Sequence, residues 1–428
     1  MILKYMKQFF LIVLFFSSFT DSKAQINADY EELIAKASLF HLQKDFKNAI
    51  TFYRKAFALQ QPDALNAYKT AGVYALDQNQ DEAFKYLNIS LDKGWTETDA
   101  LLIDPYFDYL RNDYEEQWDS ISEKARIAEL QFEKTLKLPE LRRQINAMTI
   151  QDQRVRFLKA QTSDPDQSAK LQQQINELDF KNLTQAKGII KKYNWPKISE
   201  IGKDGSNNLW LLVQHADQDI FFQKDALAAM QKLIGTNEID MENYAFLYDR
   251  VQCNLNYKQL YGTQVNWTQN GEASSFRAII EENKADERRA DFGLLPLKIY
   301  ALNYGLQYSL PTAQQAINQD KKDTESILNL INEAKKYCKS KEYQKVYDNY
   351  NNASMILGGM SSSQNYEASI LFAKIYNKTK EKQYRSISLD FLNLNHLRGD
   401  LNKKELLANK EFKSFYSDPR WKDILNLI

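Results

Sequence analysis

Glycine and proline are scarce in this 428-residue chain: thirteen and eight, together about 5% of it, against roughly 12% in average usage. Few turn formers mean few turns and long elements, which excludes β-sandwiches, propellers and collagen-like chains. Cysteine (two) and histidine (three) are scarcer still. With no paired Cys-x2-Cys and no His-x3-His, the sequence offers no metal site and implies no cofactor. Net charge is lacking too, because fifty-six basic residues face fifty-six acidic ones. No overall field draws in nucleic acid or an anionic membrane. What is present is 43% hydrophobic and 13% aromatic, enough to build two or three packed domains.

The one long apolar run is Phe9–Phe16, preceded by Lys4 and Lys7 and followed by Ser22-Lys23-Ala24. A charged start, a short apolar stretch and small residues before a cut predict a secretory signal over 1–24, cleaved before Gln25. The run is too short for a mature spanning helix. The expectation is export to the periplasm or the extracellular space, with no stable membrane span after cleavage. A retained anchor is the alternative. Cys253 and Cys338 lie in different modules of the reading below, which predicts two lone buried thiols rather than a pair.

Self-similarity organises the rest. Ala37, Phe40, Ala49, Tyr53 and Ala56 recur 34 residues later as Ala71, Tyr74, Ala83, Leu87 and Ser90. Small residues at this spacing let two helices of a hairpin cross closely, and large ones fill the gap between hairpins. The pattern resembles the tetratricopeptide repeat, with copies at about 29–62 and 63–96. Gly94, Leu101, Phe107, Asp113 and Trp118 have counterparts in Gly399, Leu406, Phe412, Asp418 and Trp421. Both sets are similar to the closing segment that follows bacterial tetratricopeptide arrays. Ala334, Tyr337, Val346, Tyr350 and Ala353 repeat the hairpin spacing before the second copy, and Ala373, Tyr376 and Leu389 suggest a less regular unit.

The period disappears between the arrays. Helices are predicted at about 116–136, 139–160, 167–193, 208–216, 220–234, 241–255 and 285–304, with Pro296 a kink in the last. Tyr261–Thr268 and Ser274–Ile280 flank Asn270-Gly271 and predict a β-hairpin. Here Asn194-Trp195-Pro196, Gln214-His215-Ala216-Asp217, Tyr248-Asp249-Arg250-Val251, Tyr261-Gly262-Thr263-Gln264 and Arg288-Arg289-Ala290 fall in order. This stretch, roughly 130–305, resembles a bacterial domain family of uncharacterised function. It departs at Ile220, where members often carry proline. The resemblance implies a module recurring in exported, repeat-containing proteins and supplies no reaction.

Polar groups inside apolar segments mark the candidate site. Gln214, His215 and Asp217 follow a strongly apolar run, Asp219 is placed to cap the next helix, and Asp249 and Arg250 are embedded among aromatics. Buried charges need partners, so His215, Asp249, Arg250, Gln264 and Arg288 are expected to meet. Two readings stand. In one, Arg250, Gln264 or Arg288 binds an anion while His215 with Asp217 or Asp249 acts as an acid–base pair. In the other, the same groups form a satisfied network that fixes the packing of helices and hairpin. Gly202-x2-Gly205-Ser206 lacks a phosphate-loop lysine and reads as a loop and cap. Ser206 lacks a nucleophile-elbow motif.

The predicted fold is mostly α: helical hairpins at 25–120 and 311–428 flank a central domain, 121–310, with a small β-hairpin. The expected function is an exported scaffold that binds a protein or peptide partner in its repeat grooves. A hydrolase or transferase using the central polar cluster is the alternative, and a self-associating envelope component is the second.

Overall fold

The computed structural model describes residues 28–356 and 358–426; the predicted signal segment lies outside them. The chain is mostly helical, with its helices paired into hairpins and one small antiparallel strand pair. Helices α1 (Ala28–Leu42) and α2 (Phe46–Leu59) form the first hairpin, α3 (Ala64–Leu76) and α4 (Gln80–Asp92) the second. The two are closed by the same turn. Lys44 and Gln78 take left-handed φ values of 60° and 57°. The next residues, Asp45 and Asn79, donate their N–H back to the carbonyls of Phe40 and Tyr74, both at 2.9 Å. Their side chains then cap α2 and α4 by accepting from Asn48 and Glu82. Ala37, Ala49, Ala56, Ala71, Ala83 and Ser90 are fully enclosed where the helices cross. The 34-residue spacing is thus a packing constraint: a larger side chain at any of these six would push the helices apart.

Three short turns follow, α5 (Thr98–Ile103), a 3-10 turn at Pro105–Phe107 and α6 (Asp108–Asp113), then α7 (Glu115–Glu133). Leu101, Phe107 and Leu110 close the end of the second hairpin's core, against Trp118 of α7.

The central helices are α8 (Pro139–Gln161), α9 (Pro165–Tyr193), α10 (Ile198–Gln214), α11 (Ile220–Gln231) and α12 (Met241–Asn254). Pro139 and Pro165 open α8 and α9, where a missing N–H costs nothing. Glycine at 202 is required: φ is 77°, and an added Cβ would meet Asp204 Oδ1 at 2.5 Å. The predicted loop there is a break inside α10, with helical turns on both sides.

The strand pair is shorter than expected. β1 (Val265–Trp267) and β2 (Ala273–Phe276) pair Val265 with Phe276, with an irregularity between Asn266 and Trp267. The residues before β1 have other partners for their backbone groups. The enclosed Gln259 bonds the Gln264 N–H, the Gln264 carbonyl and the Arg277 carbonyl. Pro296 also does something other than kink one helix. It separates α13 (Ala285–Asp291) from α14 (Leu297–Leu302), and the Asp286 carboxylate accepts from Leu297 N at 2.8 Å.

The C-terminal part comprises α15 (Ala313–Lys339), α16 (Tyr343–Met355), α17 (Ser362–Thr379) and α18 (Lys382–Arg398), then α19 (Lys403–Ala408), a 3-10 segment at Lys410–Phe415 and α20 (Pro419–Asn426). The turn between α15 and α16 repeats the earlier geometry. Lys341 has φ 63° and Glu342 donates to the Tyr337 carbonyl at 3.0 Å. Leu406, Phe412, Phe415 and Trp421 close this end, as Leu101, Phe107, Leu110 and Trp118 close the other.

By contacts the chain divides into two compact units. One holds the described residues up to 247, with 265–276 and 286–310; the other holds 248–264, 277–285 and 311 onward. In the second unit Arg398, 8% exposed, ties segment 248–264 to the C-terminal helices. Its guanidinium donates to the carbonyls of Leu255, Asn256 and Met360 and stacks 4.3 Å from the Tyr257 ring centre. Cys253 and Cys338 are both free thiols in this unit. Cys253 is buried, which pushes its thiol up to about 12; Cys338 is half-buried rather than enclosed.

Candidate functional site

α8, α9 and α10 pack together, and one end of the group gathers charge. Asp152 and Arg156 lie one turn apart on α8, Asp179 lies on α9, and His215 is the C-terminal cap of α10. Arg156 Nε reaches both oxygens of Asp152 at 3.1 Å, and its Nη2 donates to Asp179. The Gln153 amide donates to Asp152 at 2.7 Å. His215 Nδ1 stands 3.0 Å from Asp152 Oδ2, with the imidazole 5% exposed and the carboxylate 1%. The approach is off the hydrogen-bonding line: neither ring nitrogen has an aligned partner among the described residues.

The two carboxylates are driven apart electrostatically. Burial raises Asp152, but His215 and Arg156 outweigh it and hold the group well below the usual carboxylate range. Burial dominates at Asp179 and pushes it up to about 6, with Arg156 and His215 only partly offsetting. One oxygen from each acid and a nitrogen of His215 all lie within 4.8 Å of one another. No other group of three or more such ligands occurs among the described residues.

Of the residues singled out from sequence, His215 has this setting, and Asp217 is near it. Asp217 is half-buried and accepts from Gln223 Nε2 at 3.3 Å. The enclosed Gln223 also donates to the Val213 carbonyl, so it seals the end of α10. Asp219 caps α11 as expected, accepting from Phe222 N at 2.9 Å.

Asp249, Arg250 and Gln264 belong to the second compact unit, and Arg288 to the first. Asp249 is fully enclosed and accepts from the N–H groups of Leu260, Tyr261 and Thr263 and from the Thr263 hydroxyl, at 2.7 to 3.2 Å. Five such bonds use the carboxylate to hold the Tyr261-Gly262-Thr263-Gln264 turn, where Gly262 has φ 72°. That is the role of an anchor. Arg250 is buried, and Gln264 donates to Thr263 Oγ1. Arg288 is half-buried; its neighbour Arg289 is the enclosed one, donating to the Leu295 carbonyl and facing Tyr300 at 4.7 Å. Thus His215 takes Asp152 and Asp179 as neighbours, and Asp249 is saturated within its own loop.

Sequence reasoning did not single out Asp152, Arg156 or Asp179. Asp and Arg four apart on a helix are common surface partners, and nothing local distinguishes this pair from a solvated one. Arg142 was missed for the same reason. Enclosed on α8, it binds Glu129, Glu133 and Asp204 and donates to the Thr96 carbonyl at 2.8 Å.

Residues 139–311 match a family of unknown function, DUF6624. The match takes in α8 to α14, hence the whole His215 cluster and the Asp249 turn. No curated protein and no solved structure matches the chain. No described helix is long and apolar enough to cross a membrane.

Proposed function

We propose that this chain is an exported tetratricopeptide-type scaffold that holds a protein or peptide segment, and that its C-terminal hairpins take an acidic one. The observation that carries this reading is a groove of about 760 Å³ along α15 and α16, lined by Asn329, Asn332, Lys335, Lys336, Lys339 and Asn349, with Glu333 and Leu330. Three ammonium groups against one carboxylate favour an anionic occupant. The pairs Lys335–Glu367 and Lys336–Glu333, at 3.3 and 3.8 Å, are exposed and so weak enough to exchange for a ligand's carboxylates. Asparagine amides both donate and accept, which suits the backbone of an extended peptide. The recurring turn, the enclosed small residues and the two closing segments support the repeat assignment, and the pattern of residues 1–24 supports export. Segments 25–120, 121–310 and 311–428 are proposed as the array, DUF6624-containing and array modules.

A random peptide library selected on the full chain tests this. Enrichment of Asp and Glu is expected, with at least a tenfold weaker capture of the selected peptides by the Lys335→Glu/Lys339→Glu variant, an effect of about 1.4 kcal/mol or more. Selection of basic or apolar peptides, or equal capture by the variant, rejects the groove.

The paired His215 and Asp152 favour a second reading, a hydrolase or transferase centred on the DUF6624 region. It is the weaker one because both side chains are almost fully enclosed.

A further inference from the structure

We propose that Asp152, Asp179 and His215 bind one divalent transition-metal ion, zinc or manganese in class, through two carboxylates and one imidazole. Three observations converge. The donor atoms lie within 4.8 Å of one another, and ligands around one ion with bonds of about 2.0–2.2 Å stand about 3–4 Å apart. His215 is 9% exposed, and its Nδ1 lies 3.0 Å from Asp152 Oδ2 without hydrogen-bond alignment. Co-ligands of an ion do this, because their lone pairs converge on a shared centre instead of on each other. With the Arg156 guanidinium turned away, two carboxylates and a neutral imidazole carry two negative charges, which one divalent cation balances in its place.

The donor set narrows the ion. A nitrogen ligand and only two carboxylates suit zinc or manganese and fall short of the six to eight oxygens that calcium takes. Gln153, donating to Asp152, is an outer partner that orients a ligand. Arg156 is the competitor. It lies along the same carboxylates with its side chain 18% exposed, so a rotation about its long stem carries the guanidinium outward and frees them. The three ligands come from three helices, which is why no metal-ligand spacing is legible along the chain.

The test uses the full, untagged chain, stripped with chelator and titrated with zinc chloride, manganese chloride and calcium chloride by calorimetry and thermal melting. One zinc or manganese per chain is expected, with Tm raised by about 5 °C or more at saturating metal and no response to calcium. Asp179→Asn, at a partly exposed position, keeps its helical circular dichroism and loses at least about tenfold in metal affinity. His215→Gln should do the same, and if it fails to fold, Asp179→Asn decides alone. Absence of binding at millimolar zinc and manganese overturns the site. So does equal affinity in a folded variant, which would place the metal elsewhere. Binding that appears only in Arg156→Gln also overturns it, because arginine would then be the resident cation.

Discussion

At Arg142 a full positive charge sits with no solvent exposure, and its guanidinium makes four hydrogen bonds, to Glu129, Glu133, Asp204 and the Thr96 carbonyl. Removing it leaves Glu129 and Asp204 in a partly dry setting without this cation, and Glu133 with Arg143 in its place. Arg142→Ala is expected to cost about 3–5 kcal/mol in urea unfolding. Arg143→Ala, at a half-exposed arginine that shares Glu133 and otherwise pairs with the exposed Glu140, should cost under about 1 kcal/mol; equal losses would refute the distinction. Glu31 tests the opposite case. Burial, then the charge of Asp63, pushes it up to about 7. Its neutral form therefore suits the fold: the contribution is complete below about pH 4.5 and is lost as pH rises through 7. Glu31→Gln should match the parent at pH 4 and exceed it by on the order of 2 kcal/mol at pH 8. A parent equally stable at pH 8 would sink this. Neither residue was legible in sequence, since a charge in a helix reads as solvated until the neighbouring helices are placed.

At the level of elements, far more was legible. Alanines at 34-residue spacing mark where helices cross. Local rules also placed Asp219 as a cap. They failed where a side chain from afar took the backbone. Gln259 and Asp249 hold residues 260–264, so the strands end early, and Asp286 caps the helix that Pro296 begins. The closing segments give a symmetric prediction. Phe107 and Phe412 are both fully enclosed against a tryptophan, with ring centres 5.9 and 5.4 Å apart. Phe107→Ala and Phe412→Ala should each cost about 3–5 kcal/mol in chemical unfolding. A cost under about 1 kcal/mol for one alone would show that the two segments are not equivalent.

Over the whole molecule, the sequence by itself determined the helical class, the 34-residue spacing and the paired closing segments. Those depend on periodicity, small residues and turn formers, which act over a few dozen residues at most. The grouping of 248–264 with the C-terminal helices was decided by tertiary structure, through Arg398 and its carbonyl partners. So was the company of His215. Its neighbours Asp152 and Asp179 stand 63 and 36 residues earlier in the chain, on two other helices. Burial converts such charges from solvated surface groups into partners that must meet, and only packing settles which ones do.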